Sequence, residues 1–176
     1  MRCGLMPRQC PPSAVVSAPP APRSAGGRSV GHHRQVPSDL PPPPTETCPG
    51  CGAVLVRLDI AGPPHGGASA SCARLFEDTL RGLREEAGTD ATAAAAVRLA
   101  DVTYDAQHAD PADPGRLRSA LERLGASEGS GAPPRAWRTT IADVAADLDV
   151  IDLPVLVDAW ARSVGEDWTA VGATHQ

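Results

Sequence analysis

Cys48-Pro49-Gly50-Cys51 followed by Gly52 carries the chemistry that this chain declares most openly. Two thiolates separated by two residues can reach one tetrahedral Zn²⁺, and the turn that carries them directs backbone N–H groups at the sulfurs. Pro49 fixes its own φ and Gly52 tolerates a positive one, so the segment is bent in advance as a zinc knuckle must be. A Cys-x-x-Cys pair can also be a redox dithiol, but that chemistry calls for a strand–helix context. Here Ala53–Ile60 follows and reads as a strand instead. Zinc is therefore the expected ligand, with a redox dithiol or unligated thiols as the alternatives.

Two more residues complete a candidate Cys₃His set of Cys48, Cys51, Cys72 and His108. Ser69-Ala70-Ser71 offers helix N-caps, and Cys72, Leu75, Phe76, Leu80 and Leu83 recur at helical spacing up to a stop near Gly88. Cys72 then sits in the first helical turn, where the positive end of the dipole favours a thiolate. Asp90 caps a second helix, whose stripe of Ala93, Val97, Ala100, Tyr104 and His108 ends just before the breaker Ala109-Asp110-Pro111. Four protein ligands would make a closed structural site with no position for water. His65, in the Gly-Pro loop 62–67, is a rival fourth ligand.

Further along, Asp113-Pro114 starts a third helix that carries Leu117, Leu121 and Leu124 and ends at Gly125. The ten residues after Gly125 read as a loop, and further on Thr140 with Asp143 forms a weakened capping box. It opens a fourth helix with Ile141, Val144, Leu148 and Ile151 at helical steps. Asp152 and Pro154 open a fifth, whose stripe Val157, Trp160, Ala161, Val164, Trp168 and Val171 is the strongest amphipathic pattern in the chain. Its tryptophans read as core. The expected fold is mainly α: a small bundle of about five helices with an N-terminal zinc knuckle and a short strand or hairpin.

Composition splits the 176 residues unevenly. Residues 1–47 hold 11 of the 19 prolines and few large apolar side chains, too little to offset the entropy of ordering, and read as a disordered Pro/Arg-rich tail. Residues 48–176 form the domain and carry 11 arginines against 19 acids, a net of −8. That balance argues against a nucleic-acid surface, which needs clustered positive charge. The same residues contain 26 alanines against 30 large apolar residues, so a metal staple would matter to their stability. No stretch approaches the roughly 18 apolar residues of a membrane span, nor the apolar core of a secretion signal. A cytoplasmic protein that does not engage membranes is expected. All 16 basic residues are arginine, which with the Ala and Pro excess reflects a GC-rich genome more than a demand for guanidinium.

Several stretches resemble an uncharacterised family of small bacterial proteins. They are Cys48–Gly52, Gly67-Ala68-Ser69 with Cys72, Leu75-Phe76, Tyr104-Asp105-Ala106-Gln107-His108 and Ala159–Val164, so the resemblance covers nearly all of 48–176. It departs at Ala73, where the family carries an aromatic, and at Val102, where it carries an Asp. The resemblance implies a fold and a bound zinc but no activity. Three functional readings stay open. The first is an interaction module scaffolded by zinc, with an unidentified protein partner. The second is an enzyme using His108 with Asp101 or Asp105 as an acid–base pair. The third is a thiol sensor in which oxidation of Cys48 or Cys51 ejects the metal.

Overall fold

Thr45–Thr47 (β1) and Val54–Val56 (β2) pair antiparallel, with Glu46 opposite Leu55. The structure, a computed structural model, describes residues 41–59, 65–126 and 133–173. The ladder stops quickly because Pro41–Pro44 precede β1. The Pro44 carbonyl still accepts from Arg57 N–H at 2.8 Å, but the proline run has no N–H to return. Leu58 N–H turns instead to Ser71 Oγ at 3.1 Å. The expected strand over 53–60 is therefore cut to three residues. The ordered hairpin also begins upstream of Cys48, at Thr45, inside the stretch assigned to the tail; the expected disorder of 1–40 lies outside the described residues.

Five helices follow among the described residues: α1 Ala70–Glu86, α2 Ala91–Gln107, α3 Pro114–Leu124, α4 Ile141–Ala146 and α5 Leu153–Ala173. Their starts are set by side chains that satisfy orphan N–H groups. Ser69 Oγ accepts from Cys72 N–H at 3.2 Å, and the Glu46 carboxylate takes Ser71 N–H at 3.0 Å. Asp90 accepts from Thr92 and Ala93, and Asp113 from Arg116. Gly125, at φ 67°, closes α3 in the left-handed conformation. Thr140 N–H donates to Asp143 Oδ2 at 2.7 Å, as the expected capping box requires.

The fourth helix is shorter than its apolar spacing predicts. It ends at Ala146, and Leu148 and Ile151 are exposed. Asp147, Asp149 and Asp152 are better turn and cap residues than helix formers, and they supply those turns. The Asp147 carbonyl accepts from Val150 and Ile151, while the Asp152 carbonyl accepts from Val155 and Leu156 to open α5.

Helix α2 is the hub and packs against α1, α3 and α5. Half of its buried residues are alanine: Ala93, Ala96, Ala100 and Ala106. Small residues allow close helix approach, and the large volume comes from α5, where Trp160 and Trp168 are fully buried. Each indole N–H finds an acceptor near the end of α2: Trp160 on Gln107 Oε1 at 3.3 Å and Trp168 on the Ala106 carbonyl at 3.1 Å. Both tryptophans are core, as read from the sequence. Trp160→Ala should lower the unfolding free energy by about 3–5 kcal/mol, measured by urea titration, because an Ala-rich neighbour has no bulk with which to fill the hole. No helix among the described residues is long and apolar enough to cross a membrane.

Candidate metal centre

The knuckle is a tight loop at the end of the hairpin. Cys48 N–H donates to the Ala53 carbonyl at 2.9 Å, and Gly52 N–H donates back to the Cys48 carbonyl at 2.9 Å. Gly52 takes φ 76°, which an L side chain would strain. The two thiols are thereby turned inward, onto the first turn of α1 and the last of α2. Ser69 N–H points at Cys48 Sγ from 3.4 Å, a backbone donor that favours thiolate.

One ligand atom from each of Cys48, Cys51, Cys72 and His108 lies within 4.8 Å of every other, and the four can hold a metal ion. Cys51 Sγ and Cys72 Sγ are 3.8 Å apart, and Cys72 Sγ lies 3.4 Å from His108 Nε2. A tetrahedral ion with metal–sulfur bonds of about 2.3 Å and a metal–nitrogen bond of about 2.0 Å would set these edges at about 3.8 and 3.5 Å. All four residues are almost wholly shielded from solvent.

The imidazole is set for ligation by its own helix. His108 Nδ1 lies 2.9 Å from the Tyr104 carbonyl, which can only accept, so Nδ1 carries the proton and Nε2 presents its lone pair to the thiols. Glycines make room for this ring. A Cβ on Gly50 would sit 2.6 Å from His108 Cδ2, and one on Gly67 would collide with the His108 carbonyl group. Gly67→Ala should therefore displace His108 and weaken metal retention about 10–100-fold, read by competition with a chromophoric chelator, while Gly52→Ala acts only through backbone strain.

Three thiols this close cannot all ionise without a cation. Hydrogen bonds from Cys51 and Cys72 hold the Cys48 thiol far below its ordinary range. The hydrogen bond with Cys48 pushes Cys51 up to about 12, against a lowering one with Cys72, while hydrogen bonds with Cys48 and Cys51 raise Cys72, and burial adds to both. The cluster thus crowds three thiols of which Cys48 ionises most readily and the other two are held back, the electrostatic condition that a divalent cation relieves.

His65 is not drawn into the cluster. Its Nδ1 accepts from Gly67 N–H at 3.4 Å and its Nε2–H faces Asp105 Oδ1 at 3.2 Å. Asp105 also pairs with Arg116 at 2.8 Å, and Asp101 pairs with Arg84 at 2.7 Å. The acid–base pairs expected between His108 and Asp101 or Asp105 are therefore not formed. Both ring nitrogens of His108 are engaged elsewhere, and Asp105, which shares its helix, faces a different histidine.

Sequence reasoning overlooked three supports. Glu46, assigned to the tail, caps α1; its carboxylate is held below the usual range by hydrogen bonds from Ser71. Trp137 Nε1 donates to the Gly50 carbonyl at 2.9 Å and packs edge-on against Trp168, tying the knuckle to α5. Arg138 beside it bonds Asp167 and Glu166 on α5. The only signal for this strap was a Trp-Arg pair between helices, a place where an apolar anchor and a guanidinium have no periodicity to reveal them.

The chain is similar to a family of unknown function (DUF5946) over residues 46–131, just under half its length. That span contains all four clustered residues and stops short of α4 and α5, so it is narrower than the resemblance read from motifs along 48–176. No curated protein and no solved structure matches the chain.

Proposed function

We propose that the Cys₃His cluster binds one zinc ion as a closed structural site, and that the domain it staples is an interaction module, not an enzyme. The observation that carries the zinc reading is the donor set: three sulfurs and one lone-pair nitrogen, all buried and within 4.8 Å of one another, with the 3.8 Å Cys51–Cys72 and 3.4 Å Cys72–His108 edges at tetrahedral length and Nδ1–H of His108 already committed to a carbonyl. Thiolate-rich tetrahedral sites select zinc over hard cations such as Mg²⁺ and Ca²⁺. Because the four ligands close the coordination sphere, no position is left for an activated water.

The ligands come from the hairpin loop, the start of α1 and the end of α2, three pieces far apart in sequence. A metal there fixes the register of the hairpin on the bundle. The acidic surface, net −8 over residues 48–176, suits a protein partner with basic character better than nucleic acid. Full-length protein purified without chelator should carry one zinc per chain by elemental analysis. X-ray absorption should give three sulfurs near about 2.3 Å and one nitrogen near about 2.0 Å. A first shell dominated by oxygen, or metal-free protein with an unchanged fold, would overturn the proposal.

A further inference from the structure

Four of the seven large apolar side chains exposed among the described residues fall within one short stretch: Leu148, Val150, Ile151 and Val155. Val150 is 81% exposed and Val155 58%. The stretch joins α4 to α5. Helical spacing from Ile141 and Val144 would have turned Leu148 and Ile151 inward, but the helix stops at Ala146. The Asp147 carbonyl takes the N–H groups of both Val150 and Ile151, so residues 147–151 close into a tight turn. The apolar side chains are thereby gathered at one corner of the bundle. Val155 stands in the first turn of α5, and the exposed Asp158 and Ala159 follow it on the same side of that helix.

Carboxylates surround this corner. Residues 139–161 contain five aspartates and no basic residue. Asp143 spends its carboxylate on the Thr140 cap. Asp147, Asp149, Asp152 and Asp158 are exposed and hold no ion pair among the described residues. Elsewhere in the domain Asp101, Asp105 and Asp167 each hold an arginine. The arginines of α1, which packs on α4, are already committed, Arg74 and Arg81 to Asp78 and Arg84 to Asp101. Arg162, one turn past Asp158, marks where the acidic stretch ends.

That combination limits what covers the corner. An anionic membrane or a nucleic acid would meet unpaired carboxylates at the rim. A second copy of the chain would set two such rims against each other, and like charges across an interface cost affinity. A wholly apolar partner would strip water from the carboxylates without replacing it. The complementary surface is apolar at its centre and basic around it, as an amphipathic helix rich in arginine or lysine presents.

We infer that the α4–α5 corner is a docking surface for a basic amphipathic segment of a partner protein. Apolar anchors of that segment seat on Val150, Ile151 and Val155, and its flanking cations pair with Asp149, Asp152 and Asp158. The apolar centre supplies the larger part of the affinity, while the acidic rim speeds encounter and rejects anionic partners. The inference rests on the interaction-module reading and gives it a location and a class of ligand.

The test uses the full-length, zinc-loaded chain and a helical peptide of about 16 residues built from Leu-Lys-Lys-Leu repeats, roughly four turns long. Two peptides of equal length separate its parts: one with serine for leucine keeps the charge, and one with glutamate for lysine keeps the apolar face. Binding is followed by amide chemical shifts. Saturable binding of the Leu-Lys peptide at about 100 µM or below is expected, with shifts centred on residues 147–158 and either control at least about tenfold weaker. Val150→Ser with Val155→Ser, both at exposed positions, should weaken binding at least about tenfold with melting temperature unchanged. Asp149→Asn with Asp158→Asn should weaken it and flatten its dependence on salt. Val54→Ser, on the exposed face of the hairpin, should bind like the parent.

Absence of saturable binding, a serine or glutamate peptide that binds as well, or a Val150→Ser, Val155→Ser protein that binds like the parent would each overturn the inference. Dimerisation through Val150, or its insertion into phosphatidylglycerol vesicles, would assign another occupant and overturn it too. Shifts centred on Val54 and Val56 would remove this surface and leave the interaction-module reading standing. The zinc site beneath that reading is judged separately, by metal content and by the fold of the metal-free protein.

Discussion

Stripping the metal from the full-length protein with a strong chelator is expected to abolish most of its helical circular dichroism at room temperature, and returning zinc is expected to restore it. The size of the effect follows from two quantities. A structural zinc site contributes on the order of 10 kcal/mol to folding, while a whole domain's net stability is about 5–15 kcal/mol. This domain has little margin of its own, since half of the buried residues of its central helix are alanine. Without the ion, three thiols and an imidazole remain buried within 4.8 Å of one another with no cation to offset their crowding. Cys72→Ala should reproduce the apo state, because the remaining Cys48, Cys51 and His108 no longer close the coordination sphere. Acid should do the same. Protons compete with zinc for the sulfurs and for Nε2 of His108, so metal retention is full at neutral pH and lost as pH falls. A melting temperature indifferent to chelation would sink the structural-zinc proposal.

Much of this architecture was legible because its signals are local. Asp90, Asp113-Pro114 and Gly125 mark helix ends through their own backbone and side-chain chemistry, and the structure places the ends there. The α5 stripe of Val157, Trp160, Val164 and Trp168 needed only its period to be read as core. Cys72 in a first helical turn and His108 at a helix end were placed by the same kind of reasoning. What escaped depended on contacts between distant residues. Leu148 and Ile151 keep the helical spacing of α4, yet the aspartates around them break the helix, and spacing alone does not weigh that competition. Asp105 precedes His108 by three residues on one helix, which suggested a pair. The loop bearing His65 supplies a different partner from forty residues upstream. The Trp137–Gly50 bond spans eighty-seven positions and has no counterpart in any local pattern.

The choice of fourth ligand yields the second large effect, a contrast between two histidines whose rings lie 5.8 Å apart. His108→Ala is expected to weaken zinc binding by more than about 100-fold, beyond the loss typical of removing a residue that only supports a ligand, and to destabilise the domain accordingly. His65→Ala should leave one zinc per chain, with affinity changed by no more than about tenfold. The difference follows from what each ring touches. His108 Nε2 faces Cys72 Sγ at 3.4 Å, with its tautomer set by the Tyr104 carbonyl, whereas His65 spends Nε2–H on Asp105 and Nδ1 on Gly67 N–H. Losing the His65–Asp105 contact costs at most about 1.5–3 kcal/mol, the range for a hydrogen bond to a charged group, and less here because Arg116 still holds Asp105. Cobalt substitution gives a readout independent of stability. The parent and His65→Ala should show the intense visible bands of a tetrahedral thiolate-rich site, and His108→Ala should show altered or weaker ones. If His65→Ala instead lost the metal while His108→Ala kept it, the ligand set would pass to Cys48, Cys51, Cys72 and His65. His108 would then be free for acid–base chemistry, and the enzymatic reading would replace the structural one.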